Sequence, residues 1–196
     1  MKTFKAFLLE YELTDPHKKG EATPSNTHED DIDHDEFHKK ELGKIGDYSV
    51  VHYKHKTRGS HFTFLRDSNG ATIGAVEHKK PTKSGRLAIS NITKLNHDSN
   101  GYPVKKHVMT DVLHHLIKHG HTLESDNTNT EHGAHPMLMR LSSGVKTHIE
   151  DGKGNVIPHE GDVTSPENQK KYTIRSTDPS FLDNNKHKHV LVFGGG

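Results

Sequence analysis

The sequence predicts an α/β fold, with a mixed, mostly antiparallel sheet and a central amphipathic helix. Apolar and polar residues alternate in several segments between residues 47 and 95, as is typical of half-buried strands. Ser68-Asn69-Gly70 separates two of these segments and predicts the turn of an antiparallel hairpin. The helix is indicated by apolar residues that recur every four positions, at Val104, Val108, Val112 and Leu116. Pro103 and Gly120 mark its two ends.

Composition indicates one domain of intracellular type. The chain has 196 residues, of which 29% are hydrophobic and 27% charged, with a net charge of +1 and no cysteine. The lack of cysteine excludes a disulfide framework, thiolate catalysis and a cysteine-based zinc site. The near-neutral charge gives no field that attracts nucleic acid, and no stretch approaches the roughly 18 apolar residues that span a bilayer. We therefore expect neither a nucleic-acid partner nor a membrane partner.

The N-terminal part of the chain divides into a helix and a linker. Residues 1–13 hold Phe4, Phe7 and Leu8 at helical spacing and predict an amphipathic leader helix. Residues 14–46 are nearly free of apolar side chains and contain the run HEDDIDHDEFH, so they cannot bury enough surface to order themselves alone. We expect a polar, acidic linker there.

A folded domain is predicted over residues 47–193, followed by a flexible glycine tail at 194–196. Its strands before the helix are YSVVHY, HFTFLRD, ATIGAVEHKK and RLAISNITKL. After the helix come the short segment HTLESD, a short helix ending in PMLMRL, and the strand segments GVKTHIED, NVIPHEG, YTIRS and HVLVF.

This order of elements, from about Ser49 to Phe193, resembles the GNAT family of acyl-CoA-dependent N-acetyltransferases. In that family a strand such as RLAISNITKL diverges from its neighbour and hydrogen-bonds the pantetheine arm of acetyl-CoA. The resemblance therefore implies an acyl-CoA N-acyltransferase-like fold with acetyl-CoA as cofactor. It also implies main-chain contacts to the coenzyme at Asn91 and Ile92.

The resemblance further implies a phosphate site at the start of the central helix. Backbone N–H groups and the helix dipole favour an anion at a helix N-terminus. Lys105, Lys106 and His107 occupy this position and are the remaining candidate cofactor-binding residues. The family's glycine-containing pyrophosphate motif would align at Val104, His107 and Met109, and none of the three matches it.

Glu77, at the end of a central predicted strand, is the candidate general base for an acetyl transfer. A carboxylate there would take a proton from an amine before the amine attacks the thioester. The alternative interpretation is a solvated glutamate at a strand end. The tyrosine that often serves the family as general acid would fall on Arg140, which favours a non-catalytic structural or interaction protein. Acetyl transfer is the leading expectation, and the non-catalytic role is the alternative.

The first ten residues, MKTFKAFLLE, resemble the capsid-targeting leaders of internal head proteins in large tailed phages. Such leaders begin with Met-Lys-Thr, carry an aromatic and apolar helix and are cut after a glutamate, a pattern that Leu8-Leu9-Glu10 fits. The resemblance implies a phage-encoded protein of the host cytoplasm or the virion, with a phage head or scaffold protein as partner of the N-terminal helix. The alternative is a helix packed on the domain.

The chain contains 20 histidines, so its charge responds strongly to pH below about 6.5. His115, His119 and His121 could bind a metal together. The other close pairs are His52 with His55, His132 with His135, and His187 with His189. The histidines are scattered and form no HExxH motif, so we assign no metal-ligating residues and keep histidine-based metal binding as a second alternative function.

Overall fold

The computed structural model describes residue 29 and residues 32–125, 129–130, 135–174 and 189–194. The strands are β1 (Phe37–Ile45), β2 (Tyr48–His55), β3 (His61–Arg66), β4 (Thr72–Lys79), β5 (Arg86–Lys94), β6 (Thr122–Glu124), β7 (Asn129–Thr130), β8 (Thr147–Asp151), β9 (Thr173–Ile174) and β10 (His189–Phe193). The helices are α1 (Val108–Lys118), α2 (His135–Ser142) and α3 (Pro166–Tyr172). The predicted leader, residues 1–13, lies outside the described residues.

Eight of these strands form one sheet in the order β1-β2-β3-β4-β5-β6-β10-β8. Neighbouring strands are antiparallel except β5 and β6, which are parallel. Because parallel strands need a crossover connection, the chain passes through α1 between β5 and β6. β10, the last strand in sequence, lies between β6 and β8. β7 and β9 form a separate two-stranded parallel pair.

Both faces of the sheet carry apolar clusters, because alternate residues of a strand point to opposite faces. In β2, Val50 belongs to the larger cluster and Val51 to the smaller one. The larger cluster includes the apolar stripe of α1 together with side chains of α2 and α3. α1 approaches the sheet most closely at Gly74 of β4, where an added Cβ atom would lie 2.6 Å from the sulfur of Met109.

The prediction of an α/β fold with a central amphipathic helix, similar to the N-acyltransferase fold, is wrong. Strands account for 41% of the described residues, and the three helices are short. The apolar spacing does produce α1, but this helix has only 11 residues. The structure contains more strand than the sequence predicts, because some polar segments also form strands. The apolar pattern of those segments does not indicate that they pair.

β1 is one of these polar strands, and it lies inside residues 14–46, where a linker is predicted. It pairs with β2 along its whole length, with a bulge between Glu41 and Gly43. Leu42 is its one fully buried side chain. The ordered domain therefore starts before residue 47.

Among the described helices, none is long and apolar enough to cross a membrane.

Candidate functional site

The ladder between β5 and β6 ends early and opens the sheet in its interior. β6 pairs with β5 at Arg86, Leu87 and Ala88, and β5 then continues alone on that side from Ile89 to Lys94 within the described residues. β6 stops at Glu124. Beyond Ala88, no backbone pairing joins β5 to β6 among the described residues, although β5 is the fifth of eight strands.

A β-bulge lies at the point of divergence. Glu77 of β4 pairs with Asn91, whereas the next residue, His78, pairs with Ile89, so Ser90 is an extra residue in β5. Ser90 is exposed despite its place in a central strand. An extra residue bends its strand and ends the pairing, and bulges of this kind are over-represented beside active sites. The bulge and the end of the ladder together define the opening between β5 and β6.

A charged cluster spans the β5–β6 pair and connects it to β8; we call it the Arg86 clamp (Arg86, Glu124 and Glu150). The guanidinium donates to both oxygens of Glu150 at 2.7 and 2.9 Å and lies 3.5 Å from Glu124. Both carboxylates are almost fully buried. The hydrogen bonds from Arg86, working against burial, hold the pKa of Glu150 at about 2. The backbone N–H of Thr82 also donates to Glu124.

Three of the predicted site residues come together at the opening. Glu77 and Asn91 are opposite each other in the β4–β5 ladder, next to the bulge, and both are half-buried. Ile92 follows in β5, but its side chain packs against the larger apolar cluster. The main-chain contact of Ile92 with a coenzyme stays a prediction.

Lys105, Lys106 and His107 lie in the loop before α1, as predicted. Lys105 is paired with Asp111 at 2.9 Å, so its charge is partly balanced. The pKa of His107 is lowered, first by loss of hydration and then by the positive charges of Arg140 and Lys106. Arg140, on α2, is thus close to this loop, which the sequence could not show. His107 is the N-cap residue of α1 and makes no side-chain capping hydrogen bond.

A second polar site was not predicted from the sequence. It is the histidine cluster, defined here as His52, His61, His78 and His121 around Thr63. His52 contacts the Thr63 hydroxyl at 2.9 Å through Nδ1 and His61 at 3.1 Å through Nε2. The same hydroxyl is 3.0 Å from His78 Nε2. The rings of His52 and His121 are 5.3 Å apart, centroid to centroid.

Burial is the main cause of low basicity in this cluster. It lowers the pKa of His52 to about 3, with further contributions from His121 and His61. The pKa of His78 is well below its ordinary value for the same reason, and those of His61 and His121 are also lowered by burial first. All four rings are therefore neutral at pH 7.

The other predicted histidine grouping separates in the structure. His115 lies 2.6 Å from the carbonyl oxygen of Leu42, and its ring is 4.5 Å from that of His119. His121 turns away from these two and joins His52. Over the described residues, no group of three or more histidine or acidic side chains has the geometry to hold a metal ion.

Comparison with known proteins identifies no relative of this chain. No protein family, characterised protein or solved structure matches it. Geometry and charge are therefore the basis on which a function can be proposed.

Proposed function

We propose that the protein binds an acyl-coenzyme A, such as acetyl-CoA, in the opening between β5 and β6 and transfers the acyl group to an amine. The observation that carries the proposal is the early end of the β5–β6 ladder at the Ser90 bulge. The pantetheine arm of coenzyme A contains two amide groups. Such a chain can line a strand by backbone hydrogen bonds, as an added peptide strand does.

The loop that follows β5 offers a site for the phosphate groups. It runs from the end of β5 to α1 and carries exposed Lys106 and half-buried His107. Arg140 adds positive charge there. Val108 and Thr110 in the first turn of α1 already donate their N–H groups to carbonyl oxygens, so the helix dipole is what this end of α1 offers an anion. A coenzyme with its arm along β5 would direct its pyrophosphate toward this charge.

Glu77 is positioned for the proton transfer that the reaction requires. It is opposite Asn91, half-buried and next to the bulge. In the proposed reaction Glu77 removes a proton from the acceptor ammonium group. The free amine then attacks the thioester carbonyl carbon, the C–N bond forms, and the C–S bond breaks. The sulfur of coenzyme A leaves and takes up a proton.

Calorimetric titration of the full chain with acetyl-CoA tests the binding step. We expect binding in the micromolar range, and a loss of about tenfold or more in Lys106→Glu, because a phosphate contact becomes a repulsion. Lys118→Glu is the matched control, since Lys118 is exposed at the opposite end of α1 and should not affect binding. Absence of binding by the wild-type chain would exclude the proposal and favour a non-catalytic interaction protein.

Glu77→Gln tests the chemical step separately. The variant should bind acetyl-CoA as the wild type does, because the amide keeps the size of the side chain. Transfer to amine acceptors should fall by about 10²-fold or more, as expected for loss of a general base. Equal turnover by both chains would show that Glu77 is not the base.

A further inference from the structure

The histidine cluster lies beside a short ladder in the interior of the sheet. In the described part of the chain, strands β1–β5 are connected to β6, β10 and β8 by a ladder of three pairs, Arg86–Thr122, Leu87–Leu123 and Ala88–Glu124. His121 immediately precedes β6, and its ring packs on His52 of β2. The position of His121 therefore helps to fix where β6 begins.

The hydrogen bonds of the cluster require neutral rings. His52 Nε2 lies 3.1 Å from His61 Nδ1, so one of these two nitrogens must accept the hydrogen bond, which a protonated ring cannot do. The Thr63 hydroxyl also contacts His52 Nδ1 and His78 Nε2. His78 Nδ1 and His121 Nε2 are buried without a hydrogen-bond partner among the described residues, so a proton added there would also be unsatisfied.

The charged side chains that affect the pKa values of the cluster are positively charged. Lys40 on β1 and Lys54 on β2 help to lower the pKa of His52. Lys54 also helps to lower the pKa of His61 on β3. His78 of β4 is affected only by the other three histidines. Lys40 and His119, at the end of α1, help to lower the pKa of His121. Among the described residues, the charged groups that affect these four histidines are all cationic, so protonation of the closed cluster is unfavourable.

We propose that the histidine cluster is an acid-sensitive latch, which holds the start of β6 on the sheet at neutral pH and releases residues 119–122 when the pH falls below about 6. The moving segment is His121 with the adjacent end of α1, because the other three histidines lie within antiparallel ladders of the sheet. This proposal is independent of the proposed acyl transfer.

The opposite side of the β5–β6 ladder remains closed in the same pH range. The Arg86 clamp is on the other face of the sheet, since Arg86 precedes the core residue Leu87. The Arg86 hydrogen bonds keep the pKa of Glu150 at about 2, so this carboxylate stays ionised far below the pH at which histidines accept protons. Mild acid therefore acts on one face of the ladder and leaves the clamp intact.

The sign and size of the effect follow from proton linkage. Above the ordinary histidine pKa of about 6.5, both the closed and the open segment are neutral, and pH has no effect. Below it, the open state binds protons that the closed state excludes, until the pH reaches the lowered pKa of about 3 for His52. Each histidine that becomes exposed then favours opening by up to about tenfold per pH unit.

Amide hydrogen exchange of the full chain, corrected for the intrinsic pH dependence, measures the release. Between about pH 6.5 and 4.5 we expect peptides covering residues 115–125 to lose protection by about tenfold or more. Peptides covering β8, residues 147–151, should keep theirs. Loss of protection in both regions together would indicate global unfolding and overturn the latch, as would unchanged protection in residues 115–125.

Two variants remove a titrating ring. His121→Gln should reduce the pH dependence of the loss of protection by up to about tenfold per pH unit. His78→Gln should change it in the same direction. His38→Gln, at an exposed position on β1, is the control and should behave as the wild type. His78 is fully buried, so its variant could fail to fold. In that case the variant of half-exposed His121 provides the test. A pH dependence in His121→Gln equal to that of the wild type would refute the proposal.

Discussion

At the scale of single residues, Arg86 has the largest predicted effect on stability. It neutralises two carboxylates that are 3% and 2% exposed, Glu124 and Glu150. Arg86→Leu would remove the cation that both buried carboxylates share, and Glu150 would keep only the more distant Lys83, at 3.7 Å. We expect a loss of about 3–5 kcal/mol in the free energy of unfolding at pH 7, measured by urea titration.

Arg58→Leu is the matched control for this substitution, because Arg58 is exposed in the turn after β2. Its effect should stay within about 0.5 kcal/mol. A loss below about 1 kcal/mol for Arg86→Leu would mean that Thr82 and other donors suffice to hold the two carboxylates.

Glu29 shows why local sequence could not identify every functional or structural contact. Its carboxylate is buried and accepts hydrogen bonds from Tyr53, Arg66 and Thr72. Burial tends to raise its pKa, but the hydrogen bonds, led by that from Arg66, lower it overall. The surrounding acidic run predicts a solvated linker, because the partners are far along the chain and appear only after the sheet has formed.

At the scale of elements, the close approach of α1 to β4 gives a sharp test of packing. A Cβ atom on Gly74 would lie 2.6 Å from the Met109 sulfur and 3.3 Å from the Thr93 carbonyl oxygen. Gly74→Ala should therefore cost about 1–3 kcal/mol in the free energy of unfolding.

The double variant with Met109→Ala isolates this contact. Each single substitution is destabilising, but together they should cost less than their sum, because the shortened side chain gives room to the new methyl group. Simple additivity in thermal or urea unfolding would show that the backbone of β5, not Met109, limits the space.

Prediction of elements from the sequence succeeded where apolar residues are concentrated. β2 to β5 each bury a continuous run of three or four residues, and α1 buries one helical face, so their existence was predictable. β1 was not, because it buries only Leu42 and its exposed positions are mostly charged. A charged and bulged strand is suited to the edge of a sheet, where it discourages pairing with other chains. Such an edge strand resembles a linker in composition.

At the scale of the whole molecule, the strand order was beyond sequence reasoning. The apolar segment HVLVF predicts a strand, but no local signal places β10 between β6 and β8. The two polar sites were also beyond sequence reasoning, because each combines residues from elements that are far apart in the chain. The histidine cluster draws on β2, β3, β4 and the segment before β6, and Arg140 reaches the loop before α1 from a different helix.

Removal of β10 tests how much the sheet depends on its last strand. Val190, Leu191, Val192 and Phe193 are each at most 1% exposed. Burial of such side chains contributes about 1.5–3 kcal/mol each, so a chain ending at residue 188 should lose cooperative unfolding. Addition of a peptide covering residues 187–196 should restore it, monitored by circular dichroism. A truncated chain that still unfolds cooperatively would show that β1–β5 and α1 form a stable unit alone.

The position of β10 also has a consequence for biosynthesis. Strands β1 to β5 form successive hairpins and can pair as soon as each has left the ribosome. β6 and β8 have no common neighbour until residues 189–193 have been translated, because β10 lies between them. The backbone edges of β6 and β8 that pair with β10 therefore remain unpaired until these residues have been synthesised. A premature stop just before β10 would thus leave an aggregation-prone product.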